Sequence, residues 1–166
     1  MKILCFSDSH GDDRLIKRAL SLHPDAEVVF FLGDGLCDVE SLLYRNPCQK
    51  WLFVKGNCDP NVTFTAEAPK KTEVINLLGK RFLYTHGDLY GVKYSYDGII
   101  SALEKKGCDV VLFGHTHIPC EKFIRLQNGR EAYLFNPGTA SLWERAEATY
   151  GIIILDGDNI LFSHGH

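Results

Sequence analysis

The sequence predicts an α/β fold whose first half is a parallel sheet with helical crossovers, and three observations predict it. Short apolar runs at 2–6, 28–32 and 51–54 are strand-like. Segments with apolar residues at helical spacing separate them, and strand, helix, strand in that order implies right-handed crossovers between parallel neighbours. Beyond residue 71 the pattern changes to paired runs joined by glycine-containing turns, the mark of hairpins.

The run Lys2-Ile3-Leu4-Cys5-Phe6 enters the polar stretch Ser7-Asp8-Ser9-His10-Gly11. A helix is expected over 12–20: apolar positions 15, 16, 19, 20 and 22 share a face, acidic residues open it and His23-Pro24 closes it. Residues 28–32 are continuously apolar, as a strand covered on both faces is, and Gly33-Asp34-Gly35 ends them. A short helix fits 38–44, and 51–54 reads as a third buried strand that stops at Gly56-Asn57. Residues 58–71 hold two prolines and little periodicity, so a long loop is expected there.

The runs 72–77 and 81–85 flank Leu78-Gly79-Lys80 as a hairpin whose second strand ends at His86-Gly87. A helix over 95–106, stopped by Gly107, precedes a buried strand at 110–113 that ends in Gly114-His115-Thr116-His117. Two further hairpins are expected, 121–126 with 131–135 around Asn128-Gly129, and 150–155 with 160–163 across Gly157-Asp158-Asn159. With neither repeat nor linker, residues 1–166 suit one domain with a sizeable core.

Composition excludes several classes. At 45% hydrophobic and 23% charged the chain is an ordinary globular one. A net charge of −3 argues against a broad nucleic-acid surface, and the pairs Lys70-Lys71 and Lys105-Lys106 read as solvated face. The six cysteines show no CxxC spacing, and Cys5 and Cys108 lie in or beside apolar runs, so free thiols in a reducing cytoplasm are expected. The polar Ser7-Asp8-Ser9 comes too early for a signal peptide and no apolar run approaches 18 residues, so a cytoplasmic protein without a membrane span is expected.

The chemistry lies at the strand ends. Asp8, His10, Asp34, Asn57, His86, His115 and His117 each follow a predicted strand, most beside a glycine. Asp8 and His10, two apart at an extended strand end, face one cation together. Any one of the seven has a plainer reading, as a turn carboxylate, a left-handed asparagine or a hydrogen-bonded histidine. Recurrence at five strand ends is what points to metal. Carboxylate, imidazole and amide oxygen suit Mn, Fe, Co, Ni or Zn rather than copper or a thiolate zinc site, and Mn is the ion expected. Seven ligands exceed one ion and fit two that share a bridge, for which Asp34 is the natural group. Two divalent ions about 3.5–4 Å apart would turn a bridging water into a hydroxide nucleophile and clamp a phosphoryl group.

Asp8-x-His10, Gly33-Asp34, Gly56-Asn57, His86-Gly87 and Gly114-His115-x-His117, in this order, resemble the calcineurin-like metallophosphoesterases. Within them the chain is similar, over essentially its whole length, to the small single-domain phosphodiesterases of the YfcE type. The resemblance implies an α/β two-sheet sandwich flanked by helices in four layers. It implies one metal on Asp8, His10, Asp34 and His117, a second on Asp34, Asn57, His86 and His115, and hydrolysis of a small phosphate ester, above all a diester. Asn136-Pro137-Gly138-Thr139 also resembles a loop of these small members, and is equally a good turn.

Two departures bear on the reaction. Cys58 stands where much of the family carries a histidine that assists the leaving group, and Asn57, Cys58 and Asp59 are the candidate residues there. A thiol protonates an alkoxide poorly, which points away from unactivated alkyl monoesters. Gly35-Leu36-Cys37 follows Asp34 where protein phosphatases of the superfamily carry an arginine clamp. The alternatives are a protein-binding scaffold of the retromer-subunit type, and a nuclease, against which the acidic net charge weighs. The motifs govern how phosphate is held. Substrate choice and oligomeric state fall to loops such as 58–71 and 87–98 and to Tyr90, Tyr94 and Tyr96, which line a pocket, form an interface or pack on the domain.

Overall fold

Strand β1 (Lys2–Phe6) lies at the centre of the first sheet of the computed structural model, which describes residues 1–60, 62, 68–144 and 147–166. Strand β2 (Val28–Phe31) pairs with it in parallel, Ile3 opposite Val28, and β3 (Lys50–Phe53) adds in parallel to β2. On the other side β9 (Tyr150–Asp156) runs antiparallel to β1 and closes a hairpin with β10 (Asn159–Gly165), giving the order β10-β9-β1-β2-β3. The second sheet takes β4 (Thr72–Leu77), β5 (Lys80–Thr85), β6 (Val110–Leu112), β7 (Cys120–Arg125) and β8 (Glu131–Asn136) in the order β4-β5-β6-β8-β7. Its centre is parallel, β5 to β6 to β8, and each outer pair is an antiparallel hairpin.

Side-chain alternation along the strands builds three apolar layers. Leu4, Phe6, Val29 and Phe31 pack outward against α1 (Arg14–Leu22) and α2 (Leu36–Arg45). Ile3, Cys5, Phe30 and Leu32 pack inward on Phe82, Tyr84, Val110 and Leu112 of the second sheet. The outer face of that sheet, with Leu83, Val111 and Leu134, is covered by α3 (Asp97–Lys105) through Ile99 and Leu103. The result is a helix-sheet-sheet-helix sandwich, the fold class expected.

Some expectations change. The third run is an edge strand: Trp51, Leu52 and Phe53 are only half-buried, because β3 has a neighbour on one side. A run of apolar letters does not distinguish a central strand from an edge whose aromatics stack on each other, as Trp51 and Phe53 do at 5.9 Å. Helix α2 starts two residues earlier than its pattern suggested, since a distant carboxylate accepts the first N–H groups. A short 3-10 turn (Asp88–Tyr90) precedes α3. Much of the loop expected over 58–71, at 61 and 63–67, lies outside the described residues. Tyr90 and Tyr96 pack on the domain, whereas Tyr94 is 96% exposed. The six cysteines are free thiols. No helix of the described residues is long and apolar enough to cross a membrane.

Candidate metal centre

The parallel strands end on one rim, and the segments following β1, β2, β3, β5 and β6 carry the seven side chains there. The backbone that presents them is strained. Asp8, His10, Asp34, His115 and His117 all have left-handed φ, between 47° and 66°, and Leu78 in a hairpin turn is the other such non-glycine residue described. Left-handed backbone is uncommon for any residue but glycine, Asp and His tolerating it better than most, and it persists where the surroundings enforce it. The enforcement is visible: Asp8 N–H donates to Gly33 O at 3.0 Å and His10 N–H to Asp34 O at 3.1 Å, so two ligand loops form one ladder. Glycine is required at two close approaches. A Cβ at Gly56 would meet the Asp34 carboxylate, and one at Gly114 would meet Ser7 Oγ and Asp8 Oδ2.

Three polar clamps hold the loops. Asp59 is buried and accepts four backbone N–H groups at 2.8 Å, from Asp34 and Gly56 on Oδ2 and from Gly35 and Leu36 on Oδ1. It thereby joins the Asp34 and Asn57 loops and caps α2. Asp38 accepts Ser9 Oγ at 2.5 Å and the Gly11 N–H at 2.8 Å, fixing the turn that bears His10. Lys71 Nζ donates to Gly56 O and Asp88 Oδ2, both at 2.9 Å, tying the Asn57 and His86 loops. The Asn136-Pro137-Gly138-Thr139 loop does reach the site. Thr139 Oγ1 donates to Asp8 O at 2.8 Å, and Asn136 Nδ2 to Gly114 O at 3.0 Å.

The seven side chains meet in two neighbouring groups. On one side His117 Nε2 lies 3.2 Å from Asp8 Oδ1 and 3.3 Å from His10 Nε2. On the other, His86 Nε2 lies 3.3 Å from Asp34 Oδ2 and 3.1 Å from both Asn57 Oδ1 and His115 Nδ1. Asp34 also falls with His10 and Cys58 in a further group whose ligand atoms are all within 4.8 Å of one another. His86 donates Nδ1–H to Leu32 O at 2.8 Å, which turns Nε2 to the site, and His117 directs Nδ1 to Glu144 Oε2 at 2.6 Å.

Charge in this cluster is tightly coupled. Burial pushes the Asp34 carboxyl up, but the adjoining His86 and the Cys58 N–H donated at 2.7 Å outweigh it and hold it below the ordinary carboxylate range. His86 is raised despite burial, by Asp34 and Asp8, and His115 is lowered by burial and by His86. The adjacent Asp8 carboxylate, with Glu144, pushes His117 up to about 9. Burial and then Asp34 push the Cys58 thiol up.

These residues fit cations. Asp8 is fully buried, its Oδ1 makes no hydrogen bond of acceptable alignment, and imidazole nitrogens of His117, His10 and His86 surround it at 3.2, 3.8 and 3.9 Å. Asp8 Oδ2 accepts the His115 N–H at 2.9 Å, so the deficit is at Oδ1 alone, and a buried polar atom without an aligned donor costs roughly 1–3 kcal/mol. Imidazole nitrogens facing one another and a carboxylate are the arrangement that a shared divalent ion satisfies.

Sequence reasoning singled out Asp59 but missed the other residues that hold this set, and Lys71, read as solvated face, is instead a half-buried clamp. Asp38 and Asp12 read as helix-start acids, and Glu144 lies in a stretch without periodicity, so no local signal marked them. Only the Asn-Pro-Gly-Thr motif upstream hinted that this loop approaches the site.

Comparison with known proteins adds the following. The sequence model of the calcineurin-like phosphoesterase superfamily domain matches residues 1–166. The chain is 33% identical over 161 residues to the probable metallophosphoesterase YsnB of Bacillus subtilis (strain 168), covering 95% of this chain and 86% of that one. Its fold is similar to that of YfcE, a phosphoesterase from E. coli, at 26% identity and a TM-score of 0.67, with 96% and 91% of the two chains covered. It is also similar to Entamoeba histolytica Vps29 complexed with zinc, at 17% identity and a TM-score of 0.72 over 99% and 98%, a likeness of fold alone.

Proposed function

The chain belongs to the calcineurin-like phosphoesterase superfamily, and from that premise we propose that it is a phosphodiesterase dependent on two divalent ions that share Asp34. The observation that carries this reading is the buried Asp8 Oδ1, which makes no aligned hydrogen bond although three imidazole nitrogens lie within 3.9 Å, beside an Asp34 carboxylate that falls in groups on both sides. Asp8, His10, Asp34 and His117 would hold one ion, and Asp34, Asn57, His86 and His115 the other. Mn is the ion proposed, and Ni, Co, Fe or Zn are also compatible with mixed carboxylate, amide-oxygen and imidazole donors. When bound, the ions supply the Lewis acidity that gathers phosphate oxygens and lowers the pKa of an attacking water.

The chain's own residues do the rest. Asp8 and Asp34 bring two negative charges against four positive, so the centre stays attractive to an anionic ester. Asn57 turns Oδ1 to His86 and its Nδ2 outward, where it meets Cys58 Sγ at 3.1 Å and is placed to donate to a phosphate oxygen. Cys58 puts an exposed thiol beside the reacting group in place of an imidazole, so esters whose leaving group departs as a stable anion are favoured. Asp59 has its oxygens occupied by backbone N–H groups, and its part is to hold the Asp34 and Asn57 loops in register. The substrate is a small phosphodiester.

The test is a panel of aryl and alkyl phosphodiesters and monoesters assayed with Mn and with chelator, on the native chain and on Asp34→Asn. Aryl diesters should be cleaved fastest, chelator should abolish cleavage, and Asp34→Asn should lose both ions and more than about 100-fold of the rate. Full metal content and normal turnover in Asp34→Asn would overturn the shared-ligand reading. Failure to cleave any ester in any metal state would leave the fold as a binding scaffold.

A further inference from the structure

Glu144 stands outside the seven side chains and outside every motif of the sequence, yet the structure builds a path to deliver it. Residues 139–144 are fastened to the segment after β1: Ala140 N–H donates to Ser7 O at 2.9 Å, Thr139 Oγ1 to Asp8 O at 2.8 Å, and Leu142 N–H to Asp12 Oδ2 at 2.9 Å. Trp143 rests against Gly11, with Arg14 5.6 Å from its ring centre. Glu144 then places Oε2 2.6 Å from His117 Nδ1 and Oε1 3.8 Å from His10 Nε2. Its side chain is 26% exposed, so the pair is only partly screened by water.

We infer that Glu144 is a positioning residue for the ion on Asp8, His10 and His117, fixing His117 in its Nδ1–H form and adding a carboxylate charge to that side of the centre alone. The inference rests on the two-ion reading above. With Nδ1–H directed at Glu144, Nε2 is the ring nitrogen of His117 left to face Asp8 and to serve as the ligand atom for an ion. The opposite side is built differently. His86 donates to the neutral Leu32 carbonyl, and His115 turns Nδ1 itself toward the site. The Asp8 side therefore has a carboxylate seated directly on a ligand imidazole, whereas on the Asn57 side Asp88 is paired with Lys71 Nζ at 2.9 Å and acts on His115 only through space. The two positions are unequal, and the ion on the Asp8 side binds first and more tightly.

The test is Mn titration of the full chain by calorimetry, with Mn paramagnetic resonance of each step, on the native protein, Glu144→Gln and Glu144→Ala. Glutamine retains an oxygen acceptor for His117 but removes the charge, and alanine removes both. Two steps are expected for the native chain. The tighter should weaken about 10–100-fold in Glu144→Ala and by less in Glu144→Gln, with the weaker step and the metal-free melting temperature unchanged. Native-like titrations of both variants would overturn the inference. So would equal weakening of both steps, or weakening that tracks a lower melting temperature. Absence of any Mn step in the native chain would overturn the two-ion reading itself, and the inference with it.

Discussion

Asp59 and Cys58 are neighbours in sequence with opposite parts in the site. Asp59 faces inward and accepts four N–H groups from two loops. Asp59→Ala would leave these donors buried and unpaired, each costing roughly 1–3 kcal/mol and not additively. Urea unfolding should therefore show a loss of about 3–5 kcal/mol, and a loss near zero would mean that water replaces the carboxylate. Cys58 faces outward, with Sγ within 4.8 Å of ligand atoms of His10 and Asp34. Cys58→His should raise turnover of monoesters relative to activated diesters, by about tenfold or less, since an engineered acid is seldom ideally placed. If the variant binds less Mn and loses both activities together, the thiol is a packing residue instead. The sequence made the Cys-Asp pair visible, but the direction each side chain takes depends on backbone donors supplied by the segment at 34–36.

At the scale of elements, the segments following the strands are joined by hydrogen bonds that only the tertiary fold provides. Asp12 is one such joint, binding Arg14 Nε at 2.7 Å, Arg14 Nη2 at 2.8 Å and the Leu142 N–H at 2.9 Å. The Arg14 guanidinium beside it holds its carboxyl at about 2, despite burial. A carboxyl lowered in the folded state stabilises the fold fully above its unfolded value of about 4, and that contribution is lost as pH falls through about 2. Arg14 is 57% exposed, so solvent screening reduces the contribution to on the order of 1 kcal/mol. Asp12→Asn should be less stable than the native chain by that amount at pH 7, and the gap should close toward pH 2. A gap independent of pH would show that Asp12 acts through shape, not charge. Strands and helices themselves were legible, because period and turn residues are local signals. The edge position of β3 and the early start of α2 were not, since a missing neighbour strand and a distant carboxylate leave no mark on the local pattern.

For the molecule as a whole, parallel strands in both sheets end on the same rim, and this converts five separate motifs into one site. The rim was legible because each of those strands ends in residues that serve no apolar layer. The division of strands between two sheets was not legible from residues alone. It depends on the inward packing of Phe30 on Phe82 and Tyr84, at 6.1 and 5.1 Å, between segments far apart in sequence. Resemblance to a family supplied that division, and Glu144 lay beyond both sources. The central claim is that this rim holds two ions joined by one carboxylate. A crystal of the native chain grown with Mn, with anomalous diffraction recorded near the Mn edge, tests it most directly. The account predicts two peaks about 3.5–4 Å apart, one against Asp8, His10 and His117, the other against Asn57, His86 and His115, with Asp34 touching both. A single peak, or two peaks that Asp34 does not join, would contradict it.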